Sequence, residues 1–439
     1  MKRFLIDMAM MVGAVCLSLF VAQTATAQMS QSKNYVTVQI SPDSENWTYE
    51  TGDDVEFTIS VVRSSIALKN VEVSYQWGPE LRQPVESGTI NTGKGYNTLK
   101  LKGMKQPGFM TLRASVEVDG RRYSNYINVG FEPEKITGTV KMPADFDEFW
   151  TKAVSDAQKV PLDPMMTYLP DRSTNTVDYY HVRFNNNRPG IYVYGILCVP
   201  KDREGKKLAA VMNPPGAGVK TIMGDPAYAE QGVVSLAIGI HGIPLLHEST
   251  IYRNLNNNGL GAYSTSGIDN RDKYYFKHVY TGCVRAIDFL ISLPYVDAER
   301  IGVHGGSQGG ALTIVTAALD HRVKYISANY PALCDIAGAY YGSASGWPKI
   351  LNDPNETNRE KKVEVVSYFD VVNFASRVKA EGFYCLGYND QTCPPTTTFA
   401  AYNNVKAPKQ LLLPLDCAHW QYPEHSAQMR TWLIEQLTK

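Results

Sequence analysis

One segment restricts the fold of this chain more than any other. It is Arg300-Ile-Gly-Val-His-Gly-Gly-Ser-Gln-Gly-Gly310, followed at once by Ala311-Leu-Thr-Ile-Val-Thr-Ala-Ala-Leu319. A short apolar strand runs into a glycine-flanked serine, and an unbroken apolar helix follows. Read as G-x-S-x-G, the turn is Gly305-Gly306-Ser307-Gln308-Gly309. Such a turn exposes a serine hydroxyl at the edge of a parallel sheet, because its small residues let strand and helix approach around a strained backbone position. Taken alone the pattern is common, but the strand before it and the helix after it make Ser307 a candidate nucleophile.

A serine hydroxyl is a poor nucleophile until a base takes its proton and a third group orients that base. On a sheet of this kind the acid and then the histidine follow the serine, each on a loop after a strand. Downstream of Ser307 the chain offers His321, His419 and His425. His321 ends the helix after the serine and reads as a surface or capping residue. His425 falls in a terminal helical stretch. His419 follows the apolar run Gln410 to Leu415 in the loop Asp416-Cys-Ala-His-Trp420, which is the expected place for the base. For the acid, Asp390 follows the strand-like run Phe383 to Tyr388, and Asp416 is its rival. An oxyanion needs two backbone N–H donors. Gln308 follows the nucleophile and supplies one; the glycine-bearing loop Pro214-Pro-Gly-Ala-Gly218 offers the other, placed at Ala217.

The chain's 439 residues are too many for one ordinary domain, so about two or three are expected. From 28 to 133, Val55, Phe57, Ile59 and Val61 alternate with polar residues, as do Val71, Val73, Tyr75 and Trp77, then Leu112, Ala114, Val116 and Val118, and finally Ile127, Val129 and Phe131. Alternation broken by turn residues predicts an all-β immunoglobulin-like sandwich with no catalytic constellation of its own. From 134 to 439 short apolar strands alternate with helical stretches, which predicts an α/β domain with a mostly parallel sheet covered on both faces.

Lys2 and Arg3 precede the apolar run Met8 to Val21, and Ala25-Thr26-Ala27 provides a small-x-small cleavage site. Residues 1–27 therefore read as a signal peptide cut after Ala27, with a periplasmic or secreted product. Val15 before Cys16 is too large for lipidation, and no later run approaches the ~18 apolar residues of a membrane span. Lys+Arg and Asp+Glu are equal at 43 each, so no basic excess points to nucleic acid. Six cysteines remain after cleavage, and buried free thiols are the favoured reading. No C-x-x-C pair exists, so no zinc site, and no cofactor, is expected.

At these residues the chain resembles the acetyl xylan esterase/cephalosporin C deacetylase family of carbohydrate esterases, which have an α/β-hydrolase fold. Asp390-Gln-Thr-Cys-Pro-Pro-Thr-Thr-Thr-Phe-Ala-Ala-Tyr-Asn403 is similar to a long family segment, and Gly306-Ser-Gln-Gly-Gly310 to its elbow. Tyr295 to Gly302, Tyr368 to Asn373 and Asp145 to Trp150 are similar too, so the resemblance covers about residues 134 to 439. It implies a Ser307, Asp390, His419 triad with Ala217 and Gln308 at the oxyanion, acting on acylated carbohydrates such as acetylated xylan. Three departures stand out. His241-Gly242-Ile243 replaces the family's R-G-Q, Pro215-Gly-Ala217 replaces its H-G-Y, and Trp420 follows His419 where Glu is usual. These leave the triad in place but put acetyl specificity and the family's hexamer in question, while leaving a homo-oligomer open. The aromatics Tyr274-Tyr-Phe276 resemble a family segment near the active site and read equally as sugar platform or as packing. Two other functions stay open: a non-catalytic carbohydrate-binding protein on a hydrolase fold, and a hydrolase of bulkier esters or peptides.

Overall fold

Val55, Phe57, Ile59 and Val61 all turn inward from one strand, Asp54–Arg63, and share a core with Val73, Trp77, Leu112, Val116, Ile127 and Val129 of a second sheet. In this computed structural model, which describes residues 35–439, the first part of the chain is thus two facing sheets. The four-stranded sheet is built on Asp54–Arg63, flanked by Val36–Pro42 and Tyr96–Lys102. The five-stranded sheet runs Thr48–Tyr49, Arg121–Phe131, Gly108–Val118, Glu72–Pro79, Glu86–Asn91. The Phe57 and Trp77 rings meet edge to face at 5.5 Å across the gap. Residues 1–27, expected from sequence to be a signal peptide, lie outside the described residues. No described helix is long and apolar enough to cross a membrane.

The second part is organised by one nine-stranded sheet. Its spatial order is Met165–Tyr168, Val177–Asn185, Tyr192–Pro200, Val234–Ile238, Leu208–Asn213, Val296–Gly306, Val323–Asn329, Glu381–Cys385 and Lys409–Leu412. The last six are mutually parallel, as the alternating pattern predicts. The first three run antiparallel and complete one edge. The parallel strands read as continuous apolar runs because both of their faces are buried. In Leu208–Asn213, for example, Leu208, Ala210 and Met212 join one core, while Ala209 and Val211 join another beneath the terminal helix Pro423–Thr438. The helix Gln308–Leu319 is apolar all round and buried along nearly its whole length, as such a helix must be. Its two threonines return their hydroxyls to carbonyls one turn back, Thr313 to Gly309 at 2.8 Å and Thr316 to Leu312 at 2.6 Å. All six described cysteines are buried free thiols.

The two parts meet across a polar seam. Glu80, at the end of Glu72–Pro79, is 3% exposed. Its Oε2 accepts the Thr396 N–H at 3.1 Å, and its Oε1 accepts from Asn128 Nδ2 at 3.2 Å. The helix Pro395–Asn404 has no capping side chain of its own, so Glu80 meets one of its free N–H groups from the other sheet. Burial pushes the Glu80 carboxyl from 4.5 up to about 8, with Asp390 adding to the rise and the Thr396 bonds and Lys349 opposing it. The folded chain therefore holds a proton here that the unfolded chain has released. The stability contributed by this group is fully present below about pH 4.5 and is lost as pH rises through about 8. In urea titrations, the stability of the wild type relative to Glu80→Gln is expected to fall steadily between those limits. A difference that does not vary with pH would show that Glu80 does not titrate there.

Candidate active site

The parallel strands deliver their loops to one edge of the sheet, the place where open α/β sheets bind ligands. Leu208–Asn213 leads into Pro214–Gly218, Val296–Gly306 into Ser307, Glu381–Cys385 into Asp390, and Lys409–Leu412 into His419. All three triad candidates thus arrive on neighbouring loops.

Ser307 sits between strand and helix with φ 60° and ψ −124°, a conformation that costs a non-glycine residue about 1–3 kcal/mol. Its neighbours explain how the turn closes. A Cβ on Gly305 would stand 2.5 Å from the Gly309 carbonyl oxygen, and one on Gly309 would stand 2.5 Å from the Pro214 carbonyl oxygen. The Ser307 N–H donates to the Asn329 carbonyl at 3.0 Å, and its own carbonyl accepts from Ala332 at 3.0 Å. The hydroxyl is left to face His419, whose Nε2 lies 2.9 Å from Oγ.

His419 Nδ1 is 2.7 Å from Asp390 Oδ2. A carboxylate accepts only, so Nδ1 carries the proton and Nε2 is free to accept one. Asp390 is fully buried. Its Oδ1 accepts the N–H groups of Thr392 at 2.8 Å and Cys393 at 2.9 Å, which fixes the carboxylate plane before the histidine is considered. The structure therefore brings Ser307, His419 and Asp390 together. It leaves the other candidates apart. Asp416 accepts a hydrogen bond from the Tyr422 hydroxyl instead. His321 is exposed beyond the end of Gln308–Leu319, and His425 lies in the first turn of the terminal helix.

Gln308 is the first residue of its helix, so its N–H has no partner within that helix. The loop holding Ala217 is tied to it. Gln308 Nε2 donates to the Pro215 carbonyl at 3.2 Å, while its Oε1 accepts from the Tyr263 hydroxyl at 2.6 Å. That hydroxyl in turn accepts the Gly218 N–H at 3.2 Å. His241, which opens the His241-Gly242-Ile243 segment, completes the brace. Its Nε2 donates to the Gly218 carbonyl at 3.3 Å and its Nδ1 meets the Tyr275 hydroxyl at 2.7 Å. Burial holds the His241 imidazole below its usual range, which suits one donating and one accepting nitrogen.

One neighbour of the base escapes sequence reasoning. The Tyr330 ring packs edge-on to His419 at 4.9 Å, and nothing in the run after Val323–Asn329 marks it as special. Tyr274 and Phe276 are buried in the core, so the even choice between sugar platform and packing is settled for them as packing. Trp420 is 45% exposed beside His419, with its ring edge-on to Tyr422 at 4.9 Å. The ligand atoms of Asp390, Cys393 and His419 fall within 4.8 Å of one another, making this the one cluster among the described residues able to hold a metal ion. Asp390 and His419 are already bonded to each other, and burial pushes the Cys393 thiol well above its usual range.

Comparison with known proteins identifies the family. A family model described as acetyl xylan esterase (AXE1) matches residues 132–436. The acetyl esterase Axe7A of Xylanibacter ruminicola is 38% identical over 404 residues, which span 90% of this chain and 90% of that protein. Among solved structures, an acetyl xylan esterase from a Paenibacillus species is similar with a TM-score of 0.60 and 32% identity, over 69% of this chain and 98% of its own. Acetyl xylan esterase 1 from a Thermoanaerobacterium species is similar with a TM-score of 0.62 and 25% identity, over 70% of this chain and 98% of its own.

Proposed function

The chain belongs to the acetyl xylan esterase family of carboxylic ester hydrolases, and on that footing we propose that it removes acetyl groups from xylan or xylo-oligosaccharides through Ser307, His419 and Asp390. The observation that carries this reading is the unbroken relay from Ser307 Oγ to His419 Nε2 at 2.9 Å and from Nδ1 to Asp390 Oδ2 at 2.7 Å.

In the proposed reaction Ser307 Oγ attacks the ester carbonyl carbon while its proton passes to His419 Nε2. The carbonyl oxygen becomes an oxyanion facing the N–H groups of Gln308 and Ala217. As the tetrahedral species collapses, the bond to the sugar oxygen breaks, and that oxygen takes the proton back from His419. Water then attacks acetyl-Ser307 with His419 again as base, releasing acetate and the free hydroxyl. Asp390 keeps Nδ1 protonated and stabilises the imidazolium formed in each half. Trp420, exposed beside the base, offers an aromatic face to the sugar ring.

The same reading extends to the rest of the chain. Residues 28–133 are taken as an immunoglobulin-like sandwich ahead of an α/β-hydrolase domain at 134–439, supported by two facing sheets around one core. Export to the periplasm or beyond is supported by the basic start, apolar run and Ala25-Thr26-Ala27 site within 1–27.

The test is a substrate panel on the full chain and on Ser307→Ala. Acetylated xylo-oligosaccharides are expected to release acetate, with kcat/KM for an aryl acetate at least about tenfold above that for the butyrate. The highest kcat/KM on a feruloyl ester or a peptide would move the substrate to the bulkier class. A loss of less than about 100-fold in Ser307→Ala would refute the mechanism.

A further inference from the structure

Both flanks of Asp390 are held by the first two-sheet part of the chain. Before the aspartate, the Asn128 side-chain NH2 donates to the Tyr388 carbonyl at 2.7 Å, and the Asn128 backbone N–H donates to Asn389 Oδ1 at 2.8 Å. The Tyr126 hydroxyl donates to the Asn389 carbonyl at 2.8 Å. After it, the Gln391 carboxamide oxygen, in the orientation that gives it donors, faces the Arg113 guanidinium at 3.0 and 3.3 Å. Thr396 is met by Glu80, as described above. The loop's ties to its own domain are of another kind: the Asn389 N–H donates to the Cys417 carbonyl at 3.0 Å, and the Thr392 carbonyl accepts from Trp347 at 3.2 Å. The Asn389 Nδ2 also reaches the Asp416 carbonyl at 3.4 Å, while the Tyr388 and Asn389 carbonyls and Asn389 Oδ1 are left for the first sheets to meet.

The strands present these groups as a set. Thr111 stands opposite Asn128, and Arg113 opposite Tyr126, on paired strands. Side chains two residues apart share a face, so Thr111, Arg113, Tyr126 and Asn128 form one patch. Asn128 is 1% exposed, and both polar atoms of its side chain are engaged: Thr111 donates to Oδ1 at 2.7 Å, and the NH2 also reaches Glu80. A buried amide this fully satisfied has one rotamer, and it transmits the rigidity of the sheet to whatever it touches.

We propose that Asn128, supported by Glu80 and Tyr126, is a positioning residue for ester hydrolysis, and that the first two-sheet part of the chain is a template for the acid loop. The inference rests on Asp390 being the triad acid. A carboxylate must stay within a fraction of an ångström of its place to orient the histidine, and a shift of about 1 Å costs on the order of 100-fold in rate. Asn128 touches neither substrate nor reacting atoms; it acts through the Tyr388-Asn389 backbone on Asp390.

The experiment compares Asn128→Ala and Tyr126→Phe in the full chain, each alone and combined with Asp390→Asn. Rates are referred to sites titrated with a serine-reactive phosphonate, and Asp390→Asn alone is run beside them. Asn128→Ala is expected to lower kcat on an aryl acetate by roughly 10- to 100-fold with KM within about twofold, and Tyr126→Phe by about fivefold. In the Asp390→Asn background neither should lower kcat further, because the group they position no longer works. Equal losses in both backgrounds, a change confined to KM, or fewer titratable sites at unchanged kcat per site would each overturn the proposal. Should Asn128→Ala fail to fold, Tyr126→Phe removes a single hydroxyl and decides the matter by the same comparison. Wild-type activity in Asp390→Asn would instead fell the triad reading, and this proposal with it.

Discussion

Ser307→Ala is expected to lower kcat on an aryl acetate by about 10⁵- to 10⁶-fold while leaving the fold intact. The substitution removes one oxygen, whose partner in the site is His419 Nε2 at 2.9 Å. Alanine keeps the Cβ, so the strain already present at φ 60° is unchanged. The hydrogen bonds that hold the turn, from the Ser307 N–H to Asn329 and from Ala332 to the Ser307 carbonyl, belong to the backbone and survive. The nearest alternative nucleophile is the Cys393 thiol, but burial pushes it well above the usual range, so it stays protonated and does not take over. What remains is binding and the two proposed oxyanion donors, which sustain only weak catalysis. Steady-state kinetics with an aryl acetate, alongside thermal unfolding, separates these outcomes. A fall below 100-fold with Tm unchanged would remove Ser307 from the nucleophile's role.

The parts of this site that sequence reveals are those whose chemistry is bound to chain order. Ser307 is legible because a strand, small residues and an apolar helix must coincide for the turn to form. Asp390 and His419 follow because each must end a strand on the same sheet edge. The supporting residues carry no such signature. Asn128 lies between Ile127 and Val129 of a strand whose core face is apolar, so its polar side chain reads as solvent-facing. What buries it is the Tyr388-Asn389 backbone, 260 positions away. The same limit applies to strands. Glu86–Asn91 has no buried residue, and Tyr96–Lys102 buries only Leu101, so neither shows the alternation that marks Asp54–Arg63. His241 shows the converse case. As a departure from the family pattern it signals a changed pocket, yet the structure shows it bonded to the Gly218 carbonyl beneath the Ala217 loop.

Asp390→Asn is expected to lower kcat by about 10⁴-fold, and the geometry says why an amide of the same shape fails. Oδ1 accepts from two backbone N–H groups, Thr392 at 2.8 Å and Cys393 at 2.9 Å. In the asparagine variant those donors require the amide oxygen at that position, which turns the NH2 toward His419 Nδ1. An NH2 group donates, so the imidazole must place its lone pair on Nδ1 and its proton on Nε2. Nε2 then has no lone pair for the proton of Ser307, and the histidine is held in the tautomer that cannot act as base. Reversing the amide restores the tautomer only by setting its NH2 against two buried N–H donors, a conflict worth several kcal/mol. Asp416→Asn tests the rival acid under the same conditions. Its carboxylate bonds to the Tyr422 hydroxyl at the rim, so kcat should stay within about threefold of wild type. Measured side by side, a larger loss in Asp416→Asn than in Asp390→Asn would transfer the orienting role to Asp416. The expected opposite order would tie the serine's reactivity to a carboxylate plane set by the Thr392 and Cys393 backbone.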